Sequence, residues 1–263
     1  MDRSGPPSSP GASNPAANRT ASRRQTLHWH PTHPHVPPNV ADNVPASTRH
    51  HRSPHKNVIN VEAALSQRRR YLTAKRVGDA FIVIVASPLW IPLLMIAWLA
   101  VRIFDGAPAV FAQERVGLNG RTFTMYKLRT MRVDAERNGA AFAGQADPRI
   151  TRIGAFLRRT RIDELPQLLN VLKGDMSLIG PRPEQLEFVR QFERSIPGYE
   201  LRHRVRPGIT GLAQVNQGYV ADEDGTVTKV RHDLAYMSQV SLHLDTRIAL
   251  RTVLVMLVGW GAR

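Results

Sequence analysis

Residues 80–101 are 22 consecutive positions without a charged side chain, closed by Asp79 on one side and Arg102 on the other. As a straight helix the run extends about 33 Å, enough to cross a hydrocarbon core. Its length favours insertion in a bilayer over burial in a soluble core, and this limits the fold more than any other stretch. Ser87-Pro88 and Pro92 interrupt its middle. Pro88 removes an intrahelical hydrogen bond and clashes with the preceding turn, so a kink or break is predicted there. Basic residues flank both ends: Arg68, Arg69, Arg70, Lys75 and Arg76 before, then Arg102, Arg115 and Arg121 after. The positive-inside tendency draws both flanks to the cytoplasm. A helix-break-helix that enters one leaflet and returns satisfies both, with carbonyls freed at the break taken up by Ser87 or neighbouring protein. A kinked full span satisfies the length equally, so these residues leave both topologies open.

The net charge of +15 calls for an acidic partner: nucleic acid, anionic lipid or a phosphorylated small substrate. There is no cysteine, which excludes disulfides and thiolate metal sites. Residues 1–60 are rich in Pro, Ser, Asn, His and Arg and hold seven of the ten histidines. A metal-binding tail is conceivable, but without apolar periodicity the composition reads as a disordered tail with incidental histidines. It does not resemble a secretory signal, having no basic start followed by an apolar run and a cleavage site.

Chemistry concentrates at Thr160-Arg161-Ile162-Asp163-Glu164-Leu165-Pro166-Gln167-Leu168. Pro166 is tolerated only in a first helical turn; Leu165, Leu168, Leu169 and Leu172 supply a stripe to bury, and Gly174 a stop. Asp163 and Glu164 are therefore predicted at or beside a helix N-terminus. There the macrodipole favours negative charge, so an aspartate stays ionised and can serve as nucleophile or metal ligand. The alternative is that Asp163 only caps the helix and Glu164 is solvated.

Leu118-Asn119-Gly120 between two strand-like runs predicts a hairpin over residues 110–131. Period 2 puts Lys127 and Arg129 on one face, roughly 7 Å apart, where they either clamp a diphosphate or form a solvated face. Residues 134–149 read as a mobile loop, and residues 152–161 as a short basic helix leading into the dyad. Arg182 stands between Pro181 and Pro183, so its guanidinium is presented from a stiff loop suited to bidentate phosphate recognition, or simply from a rigid turn. Residues 184–192 read as helical. Residues 206–216 read as loop and strand, with Gly208 and Gly211 allowing a close backbone approach. Residues 233–260 read as two helical pieces. The second, ending near Trp260, is nearly apolar but too short to span, and is expected against the membrane or the core.

The order of these motifs resembles the bacterial sugar transferases, also called monotopic phosphoglycosyl transferases, over about residues 73–263. It runs from Lys75-Arg76-Val77-Gly78-Asp79 and the Ser87-Pro88 segment to Gln113-Glu114-Arg115-Val116-Gly117 and Arg129-Thr130-Met131. It continues with Asp147-Pro148-Arg149, Asp163-Glu164-Leu165-Pro166-Gln167, Gly174-Asp175-Met176-Ser177, Gly180-Pro181-Arg182-Pro183 and Pro207-Gly208-Ile209-Thr210-Gly211. The resemblance implies an α+β, mostly helical domain with a re-entrant helix-break-helix at Ser87 and Pro88, a short β-hairpin and amphipathic interfacial helices. The chain then divides into a basic tail (1–70), a re-entrant segment (71–104) and a catalytic domain (105–263) on the cytoplasmic face of the bacterial inner membrane.

It further implies transfer of a phosphosugar from a UDP-sugar to a polyprenyl phosphate such as undecaprenyl phosphate, initiating polysaccharide or glycoconjugate synthesis. Asp163 would form a covalent acyl-phosphate. Mg²⁺ would be held in part by Asp163, with Glu164 assisting. Arg182, with Pro181, would hold phosphate; Lys127, Arg129 and Arg161 are candidate supporting cations. A homodimer is compatible with the sequence, and nucleic acid is not expected as a partner. After Gln214-Val215-Asn216, where relatives often continue Gly-Arg, this chain has Gln217-Gly218 and the acidic residues 221–225, which leaves the sugar undefined. The competing reading, a membrane-anchored nucleic-acid or anionic-lipid binder, lacks aromatic residues interleaved with the basic runs.

Overall fold

The computed structural model describes residues 54–135, 147–217 and 223–258. The apolar stretch forms two helices, α2 (Arg69–Val85) and α3 (Ser87–Phe104), with Ala86 between them. Pro88 falls in the first turn of α3, where its missing N–H is no loss. The N–H groups of Leu89 and Trp90 both reach the Ala86 carbonyl. At this break it is the Trp90 indole that donates to a carbonyl, that of Val83, at 2.9 Å. The expected role for the Ser87 hydroxyl is thus filled by an aromatic side chain from the next turn.

Among the described residues α3 is the one helix long and apolar enough to cross a membrane, with mean hydropathy 1.7, by length and composition alone. Only Trp90, Ala97 and Val101 of α3 are buried. They nevertheless tie both its ends to the rest of the fold. Trp90 packs with Met125, Val171 and Met176, and Val101 with Leu128 and Leu157. α3 therefore lies along the domain, leaving Leu89, Ile96 and Phe104 exposed on its other side.

Helical structure already precedes the predicted boundary at residue 70. α1 (Pro54–Gln67) is helical, and Val61 is buried with Met237, Val240 and Ile248. The rest of the predicted tail lies outside the described residues, as does most of the predicted loop at 134–149. The Asn-Gly hairpin is present: β1 (Val110–Val116) pairs antiparallel with β2 (Thr122–Leu128), from Val110↔Leu128 to Val116↔Thr122. Asn119 (φ 56°) and Gly120 (φ 75°) supply the left-handed turn.

α4 (Arg152–Thr160) follows, its first turn capped by the Thr151 hydroxyl accepting from the Gly154 N–H at 2.9 Å. α5 (Gln167–Lys173) leads to β3 (Ser177–Ile179), which pairs in parallel with β4 (Gly208–Thr210); α6 (Leu186–Ser195) lies between these two strands in sequence. A Cβ on Gly208 would stand 2.1 Å from the Gly180 nitrogen, so the close approach read from the sequence is between these two backbones. The chain beyond Gly211 is a helix, α7 (Leu212–Gln217), and not the predicted strand continuation. α8 (Glu223–Gln239) begins ten residues before the predicted helical start. α9 (Leu242–Val258) buries Ile248 in the core and exposes Leu250, Val253, Leu254 and Leu257. Trp260 lies outside the described residues.

Candidate active site

α4 ends at Arg161, a non-glycine residue at φ 59°. That left-handed residue turns the chain into a single 3₁₀ turn, Ile162–Glu164, before α5. The dyad thus sits on a 3₁₀ turn just ahead of the regular helix, beside its N-terminus as the sequence predicts. Pro166 is the residue immediately before α5, and Gly174 (φ 95°) terminates it, donating to the Asn170 and Val171 carbonyls. The extra tight turn shifts the phase of the stripe. Gln167, Asn170 and Val171 take the fully buried positions, while Leu169 is 41% exposed. Asn170 fastens α5 to the hairpin, donating to the Thr124 carbonyl at 2.7 Å and accepting from the Tyr126 N–H at 3.2 Å.

Asp163 and Glu164 are both buried, so neither is the solvated side chain of the alternative reading. Their partners differ completely. Glu164 receives the forked guanidinium of Arg182, Nη2 to Oε1 at 2.8 Å and Nη1 to Oε2 at 3.1 Å. Arg161 Nη1 lies 3.6 Å and Lys127 Nζ 4.0 Å from the same Oε1. Asp163 has no hydrogen-bond or ion-pair partner among the described residues, and its Oδ1 is buried. Burial, then the neighbouring Glu164 carboxylate, raise the Asp163 pKa, against the pull of Lys127, Arg158 and Arg182. For Glu164, burial acts upward but is outweighed by Arg182, Lys127 and Arg161, which hold it below the usual carboxylate range. Lys127 is lowered to about 8 by burial and by Arg182, with Glu164 opposing. One carboxylate of the pair is neutralised while the other is desolvated and unmatched.

The Pro-Arg-Pro loop is as stiff as its sequence predicts. The Pro181 carbonyl accepts from the Gly208 N–H at 2.9 Å, and the Arg182 carbonyl accepts from Arg202 Nη2 at 2.8 Å. Arg202 is itself fixed by Asp233, at 3.0 and 2.8 Å, and by the Tyr199 hydroxyl at 2.9 Å. Lys127 and Arg129 do not act side by side. Lys127 faces Glu164, whereas Arg129 is buried and sends Nη2 to the carbonyls of Asp105 and Gly106 at 2.5 and 2.9 Å, bracing the loop after α3. A strand face read by period 2 places the two cations but not the ends of such long side chains.

Two site residues escaped the sequence reading. Gln167, four residues after Asp163, is fully buried with both Oε1 and Nε2 unpartnered. A polar residue on an otherwise apolar stripe, at i+4 from the aspartate, was its signal. Arg158, on α4, donates from Nε to the Thr130 hydroxyl at 2.8 Å and contributes to the positive field at Asp163.

Among the described residues no group of three or more His, Cys, Asp and Glu gathers to hold a metal. Magnesium needs no such cage: it binds through one or two carboxylates plus waters and substrate phosphates. The unpartnered oxygens of Asp163 and Gln167 fit that mode of binding.

Residues 70–259 match the bacterial sugar transferase family, and the chain belongs to it. An Aeromonas hydrophila protein, named UDP-N-acetylgalactosamine-undecaprenyl-phosphate N-acetylgalactosaminephosphotransferase, is 49% identical over 73% of this chain and 46% of its own length. Two UDP-glucose:undecaprenyl-phosphate glucose-1-phosphate transferases are also similar. The Caulobacter vibrioides protein is 43% identical over 68% of each chain, and that of Escherichia coli 40% identical over 68% of this chain and 39% of its own. The chain therefore spans about half or less of the Aeromonas and Escherichia proteins.

Proposed function

We propose that the protein transfers a sugar 1-phosphate from a UDP-sugar to a polyprenyl phosphate, initiating polysaccharide assembly at the cytoplasmic leaflet of the inner membrane. The observation that carries this reading is the unpartnered, desolvated Asp163 carboxylate surrounded by Lys127, Arg158 and Arg182. An ionised carboxylate in such surroundings is a nucleophile whose cost of burial is relieved by bonding to phosphorus. The Asp163 oxygen attacks the sugar-bearing phosphorus, the bond from phosphorus to the bridging oxygen breaks, and UMP leaves. An oxygen of the lipid phosphate then attacks that phosphorus, and the aspartyl oxygen–phosphorus bond breaks to return the carboxylate. Arg161, Lys127 and Arg182 balance the charge that builds on the phosphoryl oxygens, and Glu164 keeps Arg182 and Lys127 aimed at the site. The Gln167 amide completes its own hydrogen bonds on the donor. Magnesium, held by Asp163 with the diphosphate, would screen the donor's charge.

Placement at a membrane surface is supported by the packing of both ends of α3 along the domain, which suits a segment that returns to its own leaflet. Phe156 and Leu169, on the helices either side of the dyad turn, are exposed apolar residues that suit a reaction held at headgroup depth. The test is release of UMP from a panel of UDP-sugars, led by UDP-N-acetylgalactosamine and UDP-glucose, in the presence of undecaprenyl phosphate. Turnover of at least one donor, absent in Asp163→Asn, is expected; no turnover of any would overturn the reading.

A further inference from the structure

A cavity of about 500 Å³, within the range of ligand-binding pockets, lies between α2, the hairpin tip and the segment leading to β4. We propose that it binds the phosphate of an anionic membrane phospholipid, at a site separate from the reaction centre; this rests on the membrane-surface reading above. Its walls carry Arg69, Lys75, Arg76, Arg204 and Arg206 against a single carboxylate, Asp79. Lys75 is matched by Asp79 and Asp245, at 3.4 and 2.8 Å, and Arg204 by Glu62 at 3.1 Å. Arg69, Arg76 and Arg206 have no carboxylate partner among the described residues.

Two of these three guanidinium groups are held rigidly before any ligand arrives. Arg76 donates to the Val171 and Leu172 carbonyls at 2.8 and 2.7 Å, and Arg206 Nε to the Gly174 carbonyl at 3.0 Å. Both thereby cap the C-terminal end of α5, and each keeps further N–H donors for a ligand. Burial, then the facing Arg76, depress the Arg206 pKa, with Asp79 opposing. The reaction centre does not share this site. Asp163 precedes the opposite end of α5, eleven residues from Gly174, a separation of roughly 15 Å along a helical path.

A phosphate suits the three unmatched guanidiniums, and its membrane source follows from α2. Within three turns beyond Arg76, that helix exposes Val77, Phe81, Ile82 and Val85. The cavity thus sits at the polar end of an apolar helix, at headgroup depth once those side chains enter the leaflet.

The full chain, purified in mild detergent with phosphatidylglycerol added, is examined by native mass spectrometry for retained lipid. Wild type and the charge-matched control Arg190→Gln/Arg194→Gln, on the exposed face of α6, are expected to retain one phosphatidylglycerol. Arg69→Gln/Arg206→Gln, and more weakly Arg69→Gln alone, is expected to lose it. Arg69 is exposed and its side chain has no partner among the described residues, so that single variant keeps the fold. Retention by the pocket variants, or no retention by wild type, overturns the site. Displacement of the lipid by inorganic phosphate at comparable concentration would assign the cavity to a soluble phosphate and also overturn it. Binding of wild type to phosphatidylcholine vesicles is measured alongside; its absence would sink the membrane-surface reading itself, independently of the cavity.

Discussion

Asp163, on the turn before α5, and Asp79, bonded to the strand after it, are equally buried, each 6% exposed, yet the fold treats them oppositely. Asp79 accepts from the Ser177 hydroxyl at 2.5 Å and the Leu178 N–H at 3.3 Å, and lies 3.4 Å from Lys75. Lys75 also meets Asp245, which the hydroxyls of Tyr71 and Tyr236 bond at 2.6 and 2.9 Å. Every charge in that cluster is answered. Asp163 has no hydrogen-bond or ion-pair partner among the described residues, although Arg182 lies close enough to grip its neighbour Glu164. A buried polar group without a partner costs about 1–3 kcal/mol, more when charged, so a fold that has solved this at Asp79 has left it unsolved at Asp163. The contrast separates a carboxylate that holds the structure from one that, on the proposed function, the substrate completes.

The contrast is broken most severely by Asp163→Asn. UMP release should fall by about 10³-fold or more, because the nucleophile is gone while the binding groups remain. Stability should not fall. A pKa raised in the fold means that ionised Asp163 opposes folding: its favourable contribution is full below the unfolded carboxylate pKa and lost as pH rises through the folded value. At neutral pH the neutral amide removes that cost, so thermal unfolding should occur at the same or a higher temperature. Asp79→Ala should do the reverse and lose about 1–3 kcal/mol in denaturant unfolding, since the Leu178 N–H loses its acceptor, Ser177 keeps only the Ile179 carbonyl and Lys75 keeps only Asp245.

Glu164→Gln sharpens the comparison within the dyad itself. It removes one of the two causes that raise Asp163 and frees Lys127 and Arg182 to act on it. The acid limb of the pH–rate profile should therefore move to lower pH, and the maximal rate should fall as Arg182 loses its anchor. An unmoved limb would show that Asp163 is not the titrating group. Gln167→Leu should cost roughly tenfold in rate, about 1.4 kcal/mol, with stability unchanged or slightly raised, because its amide is unpaired in the fold. Tyr71→Phe, in the satisfied cluster, should cost about 1 kcal/mol of stability and leave the rate alone.

Much of this was legible in the residues. Asn119-Gly120 specified the hairpin turn, Ser87-Pro88 the helix break, and the prolines around Arg182 a fixed loop. The dyad's place beside α5 was legible too, but not its asymmetry, since which carboxylate meets Arg182 depends on a strand and a loop distant in sequence. The left-handed Arg161 and the 3₁₀ turn after it were invisible to a 3.6-residue period, and so the buried stripe was predicted to include Leu169 and to omit Gln167. Lys127 lies on β2 as read, but Arg129 falls one residue past the strand's end, and its long side chain turns away to the carbonyls of Asp105 and Gly106. α1 was hidden by the polar composition around it, though its Val61 belongs to the core.

The central claim is that Asp163 is left unpaired because it bonds to phosphorus. Incubating the protein with a turned-over UDP-sugar and Mg²⁺ in the absence of lipid acceptor, then quenching and mapping peptides by mass spectrometry, tests it most directly. A sugar-phosphate adduct on Asp163 that disappears when undecaprenyl phosphate is added is the predicted result. Steady UMP release into lipid product with no adduct on Asp163 at any quench time, or an adduct on another residue, would contradict it.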